Sequence, residues 1–108
     1  MTYEKLEQLV ISWGEDKNLI KRENADKQFL KFIEEVFEFK TEMDNLWNFG
    51  DCDKHLLKLE MGDILVTLII LSAQLDIDLV ECLEMAYEKI SKRKGKTIDG
   101  LFVKEEDL

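Results

Sequence analysis

Proline is absent from these 108 residues, and glycine occurs only five times. These are the residues that interrupt helices, so a chain without the first and poor in the second can run in long helical segments. Apolar residues recur at three- and four-residue spacing along most of the length, the period that gathers them on one side of an α-helix. The expectation is an all-α chain, a compact four-helix-bundle-type fold. Its length suits one domain, residues 1–108.

The expected helices run from about Tyr3 to Glu15, Ala25 to Leu46, Lys54 to Leu75 and Leu79 to Lys94. In the first, Leu6, Leu9, Val10 and Trp13 form one stripe, with Gly14 near the end. Asp78 suits the N-cap of the fourth helix, because a short carboxylate can accept from the free amides of a first turn. Gly95 suits its C-terminal stop. The connections "NLIKREN", "NFGDCD" and "DID" are short and keep successive helices adjacent. The tail "KTIDGLFVKEEDL" is mixed in character, and Leu101, Phe102 and Val103 are expected to pack back on the bundle.

Several function classes fall away. The longest uncharged run, Ile64 to Leu75, is well short of the roughly 20 apolar residues of a membrane span and reads as a buried helix. The start "MTYEKLEQLV" is acidic and has no long apolar core, so it does not read as a secretion signal; the simplest location is the cytoplasm. A net charge of -9 repels nucleic acid. Cys52 and Cys82 are isolated, which leaves no disulfide framework and no CxxC zinc pattern.

Within this chain the stretch "FIEEVFEF", residues 32–39, places Glu34, Glu35 and Glu38 among large apolar side chains. Residues three or four apart share a helix face, so Glu35 and Glu38 project together on a stripe with Gln28, Lys31 and Glu42. Taken alone, these acids fit a solvated face equally well. The third helix decides the matter. "LEMGDILVTLIIL" is apolar almost all round, yet Glu60 and Asp63 interrupt it on one face. Carboxylates in such surroundings persist when paired with cations or metal. If the second and third helices are antiparallel, Glu35 and Glu38 can face Glu60 and Asp63, and four oxygen donors suit Mg²⁺, with Mn²⁺ as the alternative. Gly62 would permit another helix to approach closely.

The cationic counterpart is "EKISKRKGK", with Lys89, Lys92, Arg93, Lys94 and Lys96. Part of it compensates the helix dipole. Beside an acidic metal cluster, such a patch is also what a polyphosphate substrate needs.

Glu34, Glu35 and Glu38, then twenty-one residues, then Glu60 and Asp63, resemble the EExxE…ExxD signature of the MazG-like all-α nucleotide pyrophosphohydrolases. "QFLKFIEEVFEF" and "AYEKISKRKGKTIDGLFVKEEDL" are similar to the family's segments around the motif and at the chain end. The resemblance implies Mg²⁺-dependent hydrolysis of a nucleoside triphosphate to the monophosphate and pyrophosphate. It implies Glu35, Glu38, Glu60 and Asp63 as metal ligands, and Glu34 and Glu38 as acids acting on the attacking water or the metal. Arg93 is then catalytic and substrate-binding, with Lys89 and Lys96 on the phosphates. Gln28 and Trp13 are carried as further substrate contacts, and Phe32 and Trp47 as other stacking candidates. Relatives assemble as homodimers or homotetramers, and the same is expected here. Two positions depart from the family pattern: Glu88 stands where an asparagine is common, and Phe37 where a small residue is.

The competing reading is a non-catalytic helical module that binds nucleotide, metal or protein. Other chemistries fit poorly. The single histidine, His55, completes no ExxH pair, and "DCDKHLLKLEMG" lacks the glycine and terminal glutamate of an EF-hand loop. Cys52 near His55 has no third group to orient it.

Overall fold

A computed structural model describes residues 1–49 and 54–108. Four helices dominate: α1 Tyr3–Asp16, α2 Ala25–Phe49, α3 Lys54–Gln74 and α4 Leu79–Ser91. The all-α class and the helix count agree with the sequence reading. Gly50 to Asp53 of the expected "NFGDCD" turn, including Cys52, lie outside the described residues. No helix among those described is long and apolar enough to cross a membrane.

The chain divides into two units, Met1–Ile77 and Asp78–Leu108. In the first, α3 is the central element, and both α2 and α1 pack on it. Thr2 caps α1 by accepting from the Lys5 amide at 3.2 Å. The turn after α1 places Asn18 at φ 58°, and the Leu19 amide returns to the Gly14 carbonyl at 2.9 Å. From the end of α3, the Gln74 side-chain amide donates to the Leu19 carbonyl at 2.8 Å and ties this turn down.

Among the described residues, Ile69 and Ile70 are the buried apolar side chains. Ile70 is completely enclosed, and its truncation to alanine would cost about 2–5 kcal/mol. Gly14 lets α1 approach it, since a Cβ there would stand 2.7 Å from Ile70 Cδ1 and 2.9 Å from Ile20 Cδ1. The buried hydroxyls of Thr67 and Ser72 donate to carbonyls of their own helix, Ile64 at 2.7 Å and Ile69 at 2.8 Å. Gly62 does not play the close-approach role within this chain: apart from its own turn of α3, no described atom comes within 4 Å of the position a Cβ would take there.

The second unit departs most from expectation. Asp78 does cap α4, accepting from the Val80 amide at 2.9 Å and the Glu81 amide at 3.4 Å. The helix ends at Ser91, however, and Gly95 opens a strand. Strands β1 Gly95–Ile98 and β2 Leu101–Lys104 form an antiparallel hairpin, with Gly95 opposite Lys104 and Ile98 opposite Leu101. Its two-residue turn, Asp99–Gly100, has φ values of 51° and 81°, the positive pair that matches strand twist. Leu101 and Phe102 are exposed, so they do not supply the core expected of the tail. Gly95 is required by pairing: a Cβ there would run into the Val103 carbonyl oxygen and the Phe102 ring.

Candidate metal centre and cationic groove

The Gln28 side-chain amide donates to the Thr67 carbonyl at 3.3 Å, which fixes how α2 lies along α3. The helices are antiparallel, so seven residues onward on α2 correspond to seven residues back on α3. Glu35 thereby comes level with Glu60. Glu38, one turn on and on the same face, joins them: Glu35, Glu38 and Glu60 each offer an oxygen, and all three lie within 4.8 Å of one another.

Glu35 is 7% exposed, Glu60 is half-buried and Glu38 is exposed. Glu35 Oε2 and Glu60 Oε2 are buried with no hydrogen-bond partner among the described residues. A buried carboxylate oxygen without a donor is costly, and a hard cation removes the cost. The donor set therefore fits a divalent ion of the Mg²⁺ or Mn²⁺ class. The charge of Glu35 pushes the Glu38 carboxyl above its ordinary value, with desolvation and the charges of Glu60 and Glu34 adding to it. Lys31, one turn earlier, contacts Glu35 Oε1 at 3.2 Å and Glu34 Oε1 at 3.5 Å. Its hydrogen bond to Glu35 and the charge of Glu34 hold the ammonium above its ordinary range.

The other expected site residues of the first unit do not belong to this three-oxygen group. Glu34 is exposed and engaged by Lys31. Asp63 is exposed and does not belong to the three-oxygen group. In the register set by Gln28 and Thr67, Asp63 comes level with Phe32, one turn before the acids of α2. Gln28 spends its amide on the helix–helix bond. Trp13, about half exposed, lines an apolar groove of about 340 Å³ with Leu6, Leu9, Val10 and Val66. Phe32 packs against Phe29 with ring centroids 6.2 Å apart, and Trp47 is exposed.

In the second unit, an open groove of about 470 Å³ is lined by Lys89, Lys92, Arg93, Lys94 and Lys104, together with Glu105 and Glu106. Arg93 is half-buried. Lys96 stands on β1 and does not line the groove. Lys104 arrives there because hairpin pairing sets it opposite Gly95, and the Glu105 amide donates to the Lys94 carbonyl at 2.8 Å. Sequence reading passed over Lys104; the Asp-Gly pair between "KTI" and "LFV" was the signal that could have found it. Glu88 forms an ion pair with Lys92 at 3.2 Å.

A family model described as the MazG nucleotide pyrophosphohydrolase domain matches residues 23–98, which include α2, α3, the three clustered carboxylates and Arg93. No curated protein and no solved structure matches the chain.

Proposed function

The chain belongs to the MazG nucleotide pyrophosphohydrolase domain family, and from that premise we propose that it hydrolyses a nucleoside triphosphate between the α and β phosphates in a Mg²⁺-dependent reaction. Water adds to phosphorus, the bridging P–O bond breaks, and the products are the monophosphate and pyrophosphate. The observation that carries this reading is the convergence of Glu35, Glu38 and Glu60, two of them with buried oxygens that have no donor among the described residues.

Glu35, Glu38 and Glu60 would hold the ion, with Asp63 as the fourth ligand. Bound there, Mg²⁺ would neutralise the carboxylates and polarise phosphate oxygens. Glu34 and Glu38, both exposed, would orient water or accept its proton. Arg93, with Lys89 and Lys96, holds phosphate oxygens and offsets charge on departing pyrophosphate. Gln28 and Trp13 would be further substrate contacts, Trp13 offering a face for the base.

We propose a homodimer or homotetramer as the working state, in the cytoplasm. Leu6, Leu9 and Trp13 of α1 and Leu59, Met61 and Leu65 of α3 are each 45–52% exposed in the single chain. Apolar surface of this extent marks an interaction site, and a second copy of the chain is the occupant the family premise favours.

The test is a pyrophosphate-release assay over the common ribo- and deoxyribonucleoside triphosphates, with and without Mg²⁺ and with products identified. Mg²⁺-dependent monophosphate plus pyrophosphate supports the reading. Release of single phosphates, or no turnover on any substrate by folded protein with metal present, contradicts it. Glu60→Gln and Asp63→Asn should each reduce kcat/KM by more than the roughly 10–100-fold typical of a residue acting through a ligand.

A further inference from the structure

We infer that Lys31 is a positioning residue that sets which divalent ion the carboxylate group accepts; the inference rests on reading Glu35, Glu38 and Glu60 as a metal centre. The two oxygens of Glu35 have different surroundings. Oε1 takes the Lys31 ammonium at 3.2 Å, while Oε2 is buried without a partner among the described residues. Lys31 is held from two sides, because the same ammonium also reaches Glu34 Oε1 at 3.5 Å. An ammonium has three donors, so both contacts can be kept at once, and the spacing of three and four residues along one helix makes both local.

The consequence concerns how many oxygens Glu35 can give to an ion. Oε1 keeps a second lone pair, but the Lys31 ammonium beside it repels a cation, so Oε2 is the favoured donor. Mg²⁺ is small, demands near-octahedral geometry, keeps several waters and is satisfied by single oxygens from each carboxylate. Ca²⁺ is larger, takes six to eight oxygens and is commonly chelated by both oxygens of one carboxylate. Lys31 thus competes with the bidentate mode at Glu35 and disfavours Ca²⁺ without touching the ion. It also keeps coordination positions open for water and phosphate oxygens.

A nearby positive charge by itself weakens Mg²⁺ and Ca²⁺ alike, so the ratio of the two affinities isolates positioning from bare charge. The experiment measures Kd for Mg²⁺ and for Ca²⁺ by calorimetry on the full chain, for wild type, Lys31→Met and Lys31→Arg. Lys31 is half exposed on a helix, so both variants should fold, which thermal melts check. The expected result is a shift of the affinity ratio toward Ca²⁺ by about tenfold in Lys31→Met, the lower end of what loss of a ligand's partner does, with the wild-type ratio kept in Lys31→Arg. An unchanged ratio, equal shifts for both ions, or a ratio in Lys31→Arg that moves as far as in Lys31→Met overturns the inference. Failure of wild type to bind either ion overturns the metal centre itself.

Discussion

Glu35 on α2 and Glu60 on α3 bring carboxylate oxygens within 4.8 Å of each other, and each buries Oε2 without a hydrogen-bond partner among the described residues. Two like charges at that distance oppose folding unless something positive separates them. Lys31 meets one oxygen of Glu35; the remaining imbalance is what a divalent ion would relieve.

Mg²⁺ should therefore stabilise the fold measurably. An ion that binds the native state alone contributes about 2.7 kcal/mol at a hundredfold excess over Kd, which for a domain of this size raises Tm on the order of 10 °C. Thermal melts in chelator and across a Mg²⁺ series check this. A flat Tm would count against the assembled carboxylate group.

Glu38 gives a pH dependence. Its carboxyl is raised above its ordinary value, chiefly by the charge of Glu35. The native state then binds this proton more tightly than the unfolded chain does. The resulting stabilisation is present below the unfolded value and is lost as pH rises through the raised one. At neutral pH the metal-free protein carries repulsion that Glu38→Gln removes. In chelator, Glu38→Gln should melt above wild type at pH 7, and the gap should close below about pH 4. A gap that ignores pH would assign the effect to something other than ionisation.

Arg93 and Lys96 should behave differently as alanine variants. Arg93 is half-buried in the cationic groove and Lys96 lies outside its lining. Loss of a charge-assisted hydrogen bond is worth about 1.5–3 kcal/mol, so Arg93→Ala should lower kcat/KM by roughly tenfold or more. Lys96→Ala should cost less. Steady-state kinetics on the preferred triphosphate rank them, and equal losses would mean that the groove does not define the phosphate contacts.

Gly95→Ala tests the hairpin. Its new Cβ would meet backbone, the Val103 carbonyl oxygen, which cannot yield as a flexible side chain can. Pairing must shift, and Lys104 opposite it leaves the groove. Pyrophosphate affinity should fall while helical circular dichroism stays close to wild type. Unchanged affinity would show that Lys104 contributes nothing there.

Much of the site was legible because its parts are local. The spacing of Glu35 and Glu38, and that of Glu60 and Asp63, follows from helix geometry, which depends on neighbours within one turn. The N-cap at Asp78 was readable for the same reason. The strand beginning at Gly95 was not: in a chain otherwise spaced for helices, a glycine after lysines reads as a stop, and its role emerges only when Val103 pairs across from Lys96.

The sequence by itself determined the helices, the acidic pairs on their faces and the basic segment after α4, since each rests on contacts between residues close in the chain. Tertiary structure decided which acids meet. Glu60 comes level with Glu35, and Asp63 with Phe32, in the register that the Gln28–Thr67 hydrogen bond marks. That register is a property of two packed surfaces. No single helix carries it, since packing and side-chain hydrogen bonds between distant segments select it only when the chain folds.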